Sequence, residues 1–164
     1  MERHEPADAG MSEQFPALRR ALLSWYPFEH AERVLLIGED TEAFIPLLDP
    51  FFDNIDQMRF LPDEGPDGGG RQYDCVIALD CLEHHAELVG QRLSRLAAQL
   101  RPEGSLLLGF RNRFGLRYLC GGLDDIVRTP YSGIAGETGE GTKLFATQEM
   151  TALLRGAGFA EIRY

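Results

Sequence analysis

Two runs, RVLLIG at 33–38 and YDCVIALD at 73–80, constrain the fold more than any other feature of this chain. Each is apolar through its middle without the alternation of a strand that has one wet face. Each therefore reads as a strand buried on both sides in a parallel sheet. SLLLGF, at 105–110, reads as another. Between and around them apolar residues recur at helical spacing: Phe44, Ile45, Leu47 and Leu48 within 42–52, stopped by Pro50; Leu88, Leu93, Leu96, Ala97 and Leu100 within 81–100; and Met150, Leu153 and Leu154 after Thr147, a candidate N-cap, with Gly156 and Gly158 closing the helix. Strands alternating with helices imply a mostly parallel α/β sheet with helices on both faces.

The remaining segments fall around this frame. A helix is expected over 15–25, where Leu18, Ala21, Leu22 and Trp25 repeat with helical period, and residues 1–12 read as a loose tail before a single domain over 13–164. QMRFLP suggests a short strand, DEGPDGGGRQ a surface loop, RPEG a turn and AEIRY a last short strand. A chain of 164 residues fits one such domain. No apolar run reaches the roughly 18–20 residues of a membrane span, and the first residues lack the build of a signal peptide, so a cytoplasmic protein is expected. The three cysteines form no C-x-x-C pair and read as inert thiols. A net charge of −10 argues against non-specific nucleic-acid binding, although Arg101, Arg111, Arg113, Arg117 and Arg128 crowd together.

In this order the segments RVLLIGEDTEAF, QYDCVIALDCLEHH, LAAQLRPEGSLLLGFRNRFG and FATQEMTALLRGAGFAEIRY resemble class I S-adenosylmethionine-dependent methyltransferases. LLSWYPFEHAERVLLIG, RNRFGLRYLCGG and KLFATQEMTALLRGAGF look like a bacterial, polysaccharide-associated subgroup of them. The resemblance implies a Rossmann-like α/β sandwich, S-adenosyl-L-methionine as cofactor, and a small-molecule or glycan-related acceptor. The interval between Gly38 and Tyr73 has room for one strand beside its helix where the family has two, so the fold is expected to be shortened by about one strand-helix unit.

The family's cofactor loop reads acidic-x-G-x-G-x-G, its glycines letting backbone approach the cofactor. Here Gly38 keeps the first glycine, while Leu36 replaces the acidic residue, Asp40 the second glycine and Glu42 the third. Carboxylates favour the first turn of the following helix by about 0.3–1 kcal/mol each, and Asp40 or Thr41 suits its N-cap. Two readings stand. In one, the loop is a well-capped helix start that has lost the cofactor, leaving a non-catalytic module with a protein partner. In the other it is a rearranged cofactor site made by Gly38, Asp40 and Thr41. The acid expected to bond the ribose hydroxyls finds a positional candidate in Asp56, and Asp63 resembles the acid beside the adenine; both also read as ordinary loop acids.

The resemblance places chemistry at the end of the YDCVIALD strand and after SLLLGF. Asp80 and His84 are the catalytic candidates, His84 as a base near neutral pH, with His85 adjacent. A helix starting near Cys81 would instead put Glu83 in its first turn for dipole reasons. No third ligand stands at metal spacing from Asp80, His84 and His85, so no metal is expected. Arg111, Asn112, Arg113 and Tyr131 are the substrate-binding candidates, because arginine forks suit phosphate. The alternative for this stretch is a surface helix with Phe114, Leu116 and Tyr118 turned inward. The glycine-rich region 121–142 reads either as a lid or as a loop.

Overall fold

The computed structural model describes residues 23–164 apart from 25, 40, 61–71, 85, 125, 137 and 140. The expected tail, nearly all of the 15–25 helix, most of the DEGPDGGGRQ loop, Asp40, Asp63 and His85 lie outside the described residues. Four strands form one parallel sheet: β1 (Ala31–Ile37), β2 (Phe52–Met58), β3 (Tyr73–Leu79) and β4 (Leu100–Gly109), in the order β2-β1-β3-β4. Among the described residues the longest helices are α2 (Val89–Gln99), preceded by a 3-10 turn at Ala86–Leu88, and α5 (Thr147–Gly156). Three further helices have four residues each: α1 (Ile45–Leu48) behind a 3-10 turn at Thr41–Phe44, α3 (Leu116–Leu119) and α4 (Ser132–Ala135).

The continuous apolar runs are explained by two cores. On one face Leu35, Ile37, Val76 and Ala78 meet Val89, Leu93 and Leu96 of α2 and Met150 and Leu154 of α5. On the other, Val34, Leu36, Cys75 and Ile77 meet Leu23, Phe44, Leu48 and Phe52. Fully burying one such side chain stabilises the fold by about 1.5–3 kcal/mol, so the two central strands hold most of the sheet's energy. At the amino end of the sheet the strand starts are joined by polar contacts. Arg101 bonds Asp74 at 2.8 Å and Glu32 at 2.9 Å, and Asp74 also accepts the Arg33 N–H at 2.8 Å. Burial pushes the Asp74 carboxyl up, but these bonds outweigh it and hold its pKa below the usual range.

A Rossmann-like sandwich with helices on both faces, one strand-helix unit short, is what the sequence led us to expect. Five local expectations differ from the structure. The second strand, β2, starts five residues before QMRFLP and ends at Met58, the second residue of that stretch. Regular helix begins at Val89, so Glu83 is in no helical turn. RPEG lies within β4, whose register against β3 shifts where Glu103 takes a φ of 67°. The N-cap of α5 is Ala146 rather than Thr147, and its N–H is bonded by the Glu149 carboxylate at 2.8 Å. AEIRY forms no strand; Phe159 and Ile162 pack on the core while Tyr164 Oη donates to the Thr147 carbonyl at 3.1 Å.

Candidate functional site

The chain runs from β1 outward to β2, then crosses back to β3 on the opposite side of β1. The carboxyl ends of β1 and β3 thus flank the point where strand order reverses, the usual ligand crevice of an open α/β sheet. Gly38 follows β1 with φ +143°, and a Cβ there would lie 2.6 Å from the Leu79 carbonyl oxygen. Its N–H donates to the Met58 carbonyl at 3.1 Å. The retained glycine is therefore required by the close approach of β1 and β3, before any ligand is considered. Asp80 turns the chain out of β3 in the left-handed region, at φ 49°, and its N–H donates to the Gly109 carbonyl at 3.0 Å.

Around this crevice the side chains divide into exposed and committed groups. Asp80, His84, Glu39 and Glu42 are exposed, and Glu39 pairs with Arg59 at 3.0 Å. Thr41 is buried in the 3-10 turn, its hydroxyl 3.5 Å from Gln57 Oε1. The backbone of His84 is fixed by an antiparallel bridge to Thr142 and by Arg92, which donates to its carbonyl at 2.8 Å.

Glu83 is the group that sequence reasoning misplaced. Its side chain is buried at 1% exposure. One carboxylate oxygen accepts the Arg111 N–H at 2.7 Å, the other accepts the Leu82 N–H at 3.2 Å, and its carbonyl accepts the Lys143 N–H at 2.9 Å. One residue so ties the segments after β3 and β4 to the segment that returns from the glycine-rich region. Burial pushes its pKa up, against the pull of the Arg111 N–H.

Asp124 plays the same part for the segment after β4. It accepts the Tyr118 hydroxyl at 2.5 Å and the N–H groups of Ile126 and Val127 at 2.9 and 2.7 Å, with Arg111 Nη1 at 3.5 Å. Burial raises its pKa, but these partners outweigh that and leave it lowered; the same contact and burial raise that of Tyr118. The signal for it was present in LDDIV, an aspartate two and three residues before the N–H groups it bonds.

The remaining candidates lie apart from one another. Asp56 sits two residues before the end of β2, with its carboxylate on Arg33 at 2.8 Å and on the Tyr73 hydroxyl at 2.9 Å, toward the start of β3. Asn112 bonds Thr147 at 3.4 Å and the Phe114 N–H at 3.0 Å. Arg113 lies 5.0 Å from the Phe114 ring. Tyr131, left-handed at φ 66°, covers Gly121, and of Phe114, Leu116 and Tyr118 only Tyr118 turns inward. Burial raises the Cys75 and Cys81 thiols to about 11 and about 12, while Cys120 is exposed. No group of three or more metal-ligating side chains gathers among the described residues.

No family model matches the sequence, and no curated protein matches it. Solved structures do match the fold. An S-adenosylmethionine-dependent methyltransferase from Archaeoglobus fulgidus aligns over 95% of this chain and 76% of its own, at 18% identity and a TM-score of 0.66. An O-methyltransferase family protein from Burkholderia thailandensis aligns over 94% and 56%, at 15% identity and 0.63. The S-adenosylmethionine-dependent methyltransferase SibL aligns over 92% and 51%, at 17% and 0.65. The chain thus spans about half the length of the last two. At these identities the likeness concerns architecture: the chain has the fold of the S-adenosylmethionine-dependent methyltransferases, in a shortened form.

Proposed function

We propose that the chain is a methyltransferase domain that binds S-adenosyl-L-methionine in the crevice between β1 and β3 and transfers its methyl group to a small or glycan-related acceptor. The observation that carries this reading is the reversal of strand order between the carboxyl ends of β1 and β3, on a fold shared with methyltransferases. The exposed carboxylates of Glu39, Glu42 and Asp80 suit a cofactor whose sulfonium and ammonium groups are both positive. Gly38 and Thr41 line the turn on the β1 side, with Asp40 beside them in sequence. The cofactor supplies the electrophile; Asp80 orients and His84 takes the acceptor's proton, and Arg111, Asn112, Arg113 and Tyr131 stand on the acceptor side.

The fit is strained at the loop, where Leu36, Asp40 and Glu42 stand in place of the family's acid and later glycines, and at the ribose. The family's ribose-binding acid has no counterpart at the crevice in Asp56, which is bonded to Arg33 and Tyr73. Calorimetric titration with S-adenosylmethionine and its demethylated product tests the reading. Dissociation constants in the micromolar range, weakened at least about tenfold by Asp80→Asn or Thr41→Val at unchanged melting temperature, are expected. Affinity weaker than millimolar for both ligands overturns the reading and leaves a methyltransferase-like module that acts through a protein partner.

A further inference from the structure

Five of the eight large apolar side chains that are exposed among the described residues fall within 114–131: Phe114 (48%), Leu116 (76%), Leu119 (52%), Leu123 (45%) and Tyr131 (57%). They belong to one small lobe with a core of its own, made by Tyr118, Ile126, Val127 and Leu144. Leu116 and Leu119 stand one turn apart on α3, and Tyr118, between them in sequence, turns inward to Asp124. The Tyr131 ring lies over Gly121, where a Cβ would be 3.3 Å from its Cζ. Clustered apolar side chains with a polar rim mark a surface that meets something.

The rim is basic. The Arg113 guanidinium lies 5.0 Å from the Phe114 ring, and that of Arg117 bonds the Leu123 carbonyl. Residues 111–135 hold four arginines against two aspartates, in a chain of net charge −10. The partner that complements this patch is anionic. A second copy meeting it about a twofold axis would set the same basic rim against itself, which argues against self-association here. Exposed leucines together with aromatic rings and guanidiniums are the side-chain types that a bilayer interface takes: aliphatic tips at the acyl boundary, rings and cations among the phosphates.

We propose that the face formed by Phe114, Leu116, Leu119, Leu123 and Tyr131, with Arg113 and Arg117, docks this domain on an anionic lipid surface. The patch starts five residues after β4 ends, so docking holds the carboxyl end of the sheet near the headgroup layer. The proposal does not depend on cofactor binding. Its test is sedimentation of the whole chain with vesicles of phosphatidylglycerol and phosphatidylcholine, against phosphatidylcholine alone, at about 0.1 M salt. Binding at least about tenfold tighter to the anionic vesicles is expected. Leu116→Ser with Leu119→Ser, and separately Arg117→Glu, should each weaken it at least about fivefold; both sites are exposed, and an unchanged melting temperature shows that the variants fold. Equal sedimentation with and without vesicles, or variants that bind like the wild type, overturns the proposal. So does a concentration-dependent dimer that the same leucine variants dissolve, which would give the patch to a second copy.

Discussion

A carboxylate at 1% exposure persists only if its lone pairs are taken, and in Glu83 two backbone N–H groups take them. Glu83→Ala strands both donors, at about 1–3 kcal/mol each, so chemical denaturation should show a loss of several kcal/mol, larger than for Glu87→Ala on the exposed side of the same segment. Its titration adds a pH signature. The raised pKa means that Glu83 favours folding most when protonated, and that contribution fades as pH rises through its raised value. The lowered pKa values of Asp74, Asp124 and Glu149 act oppositely, stabilising above the ordinary carboxylate range and losing their effect as pH falls below it. Urea midpoints of wild type and Glu83→Gln measured from pH 7 down to about pH 4 should therefore move apart in favour of the wild type. A constant gap would mean that Glu83 does not titrate in this window. At this scale the sequence was legible for residue types and poor for partners. EHH carries three titratable side chains, and nothing in the tripeptide says that Glu83 is buried, because its burial depends on Arg111, distant in the chain.

At the scale of elements, legibility followed the number of neighbours a strand has. β1 and β3 are flanked on both sides and covered on both faces, so their apolar runs could mean little else. β2 is an edge strand whose Phe52, Ile55 and Met58 recur every third residue among polar ones, which reads as the tail of a helix. The start of α2 was misread because Leu82 continues its apolar pattern, while Leu82 and Glu83 are held by loop contacts instead. Two glycines give a contrast that tests the packing at β1. Gly38→Ala forces a Cβ onto the Leu79 carbonyl at an unfavourable φ, and should cost about 2–4 kcal/mol in urea unfolding. Gly90→Ala, in α2 with nothing within 4 Å of the new Cβ, should be neutral or stabilising by about 0.5 kcal/mol. Similar losses at both positions would contradict the close approach of β1 to β3.

Across the whole molecule the cores are unequal. The two that cover the sheet draw on every strand and the long helices, whereas the third consists of four buried side chains from short helices and loops, joined to the rest through the Glu83 and Asp124 contacts. Local opening takes the least-packed unit first, so the 111–145 lobe should open without the sheet. Amide hydrogen exchange provides the measurement. Amides of β1 and β3 should exchange only through global unfolding, while those of α3 and α4 exchange faster by at least about two orders of magnitude. Val127→Ala removes volume from the lobe core and should speed exchange at 116–135 while leaving β1 and β3 nearly unchanged, since the loss of about 1–2 kcal/mol falls on the local opening. Leu93→Ala, in the core beneath the sheet, should lower protection in β1, β3 and α2 together by about 2–5 kcal/mol. Uniform responses to both substitutions would mean that the lobe and sheet unfold as one unit, and that Glu83 and Arg111 couple them more tightly than the separate cores imply.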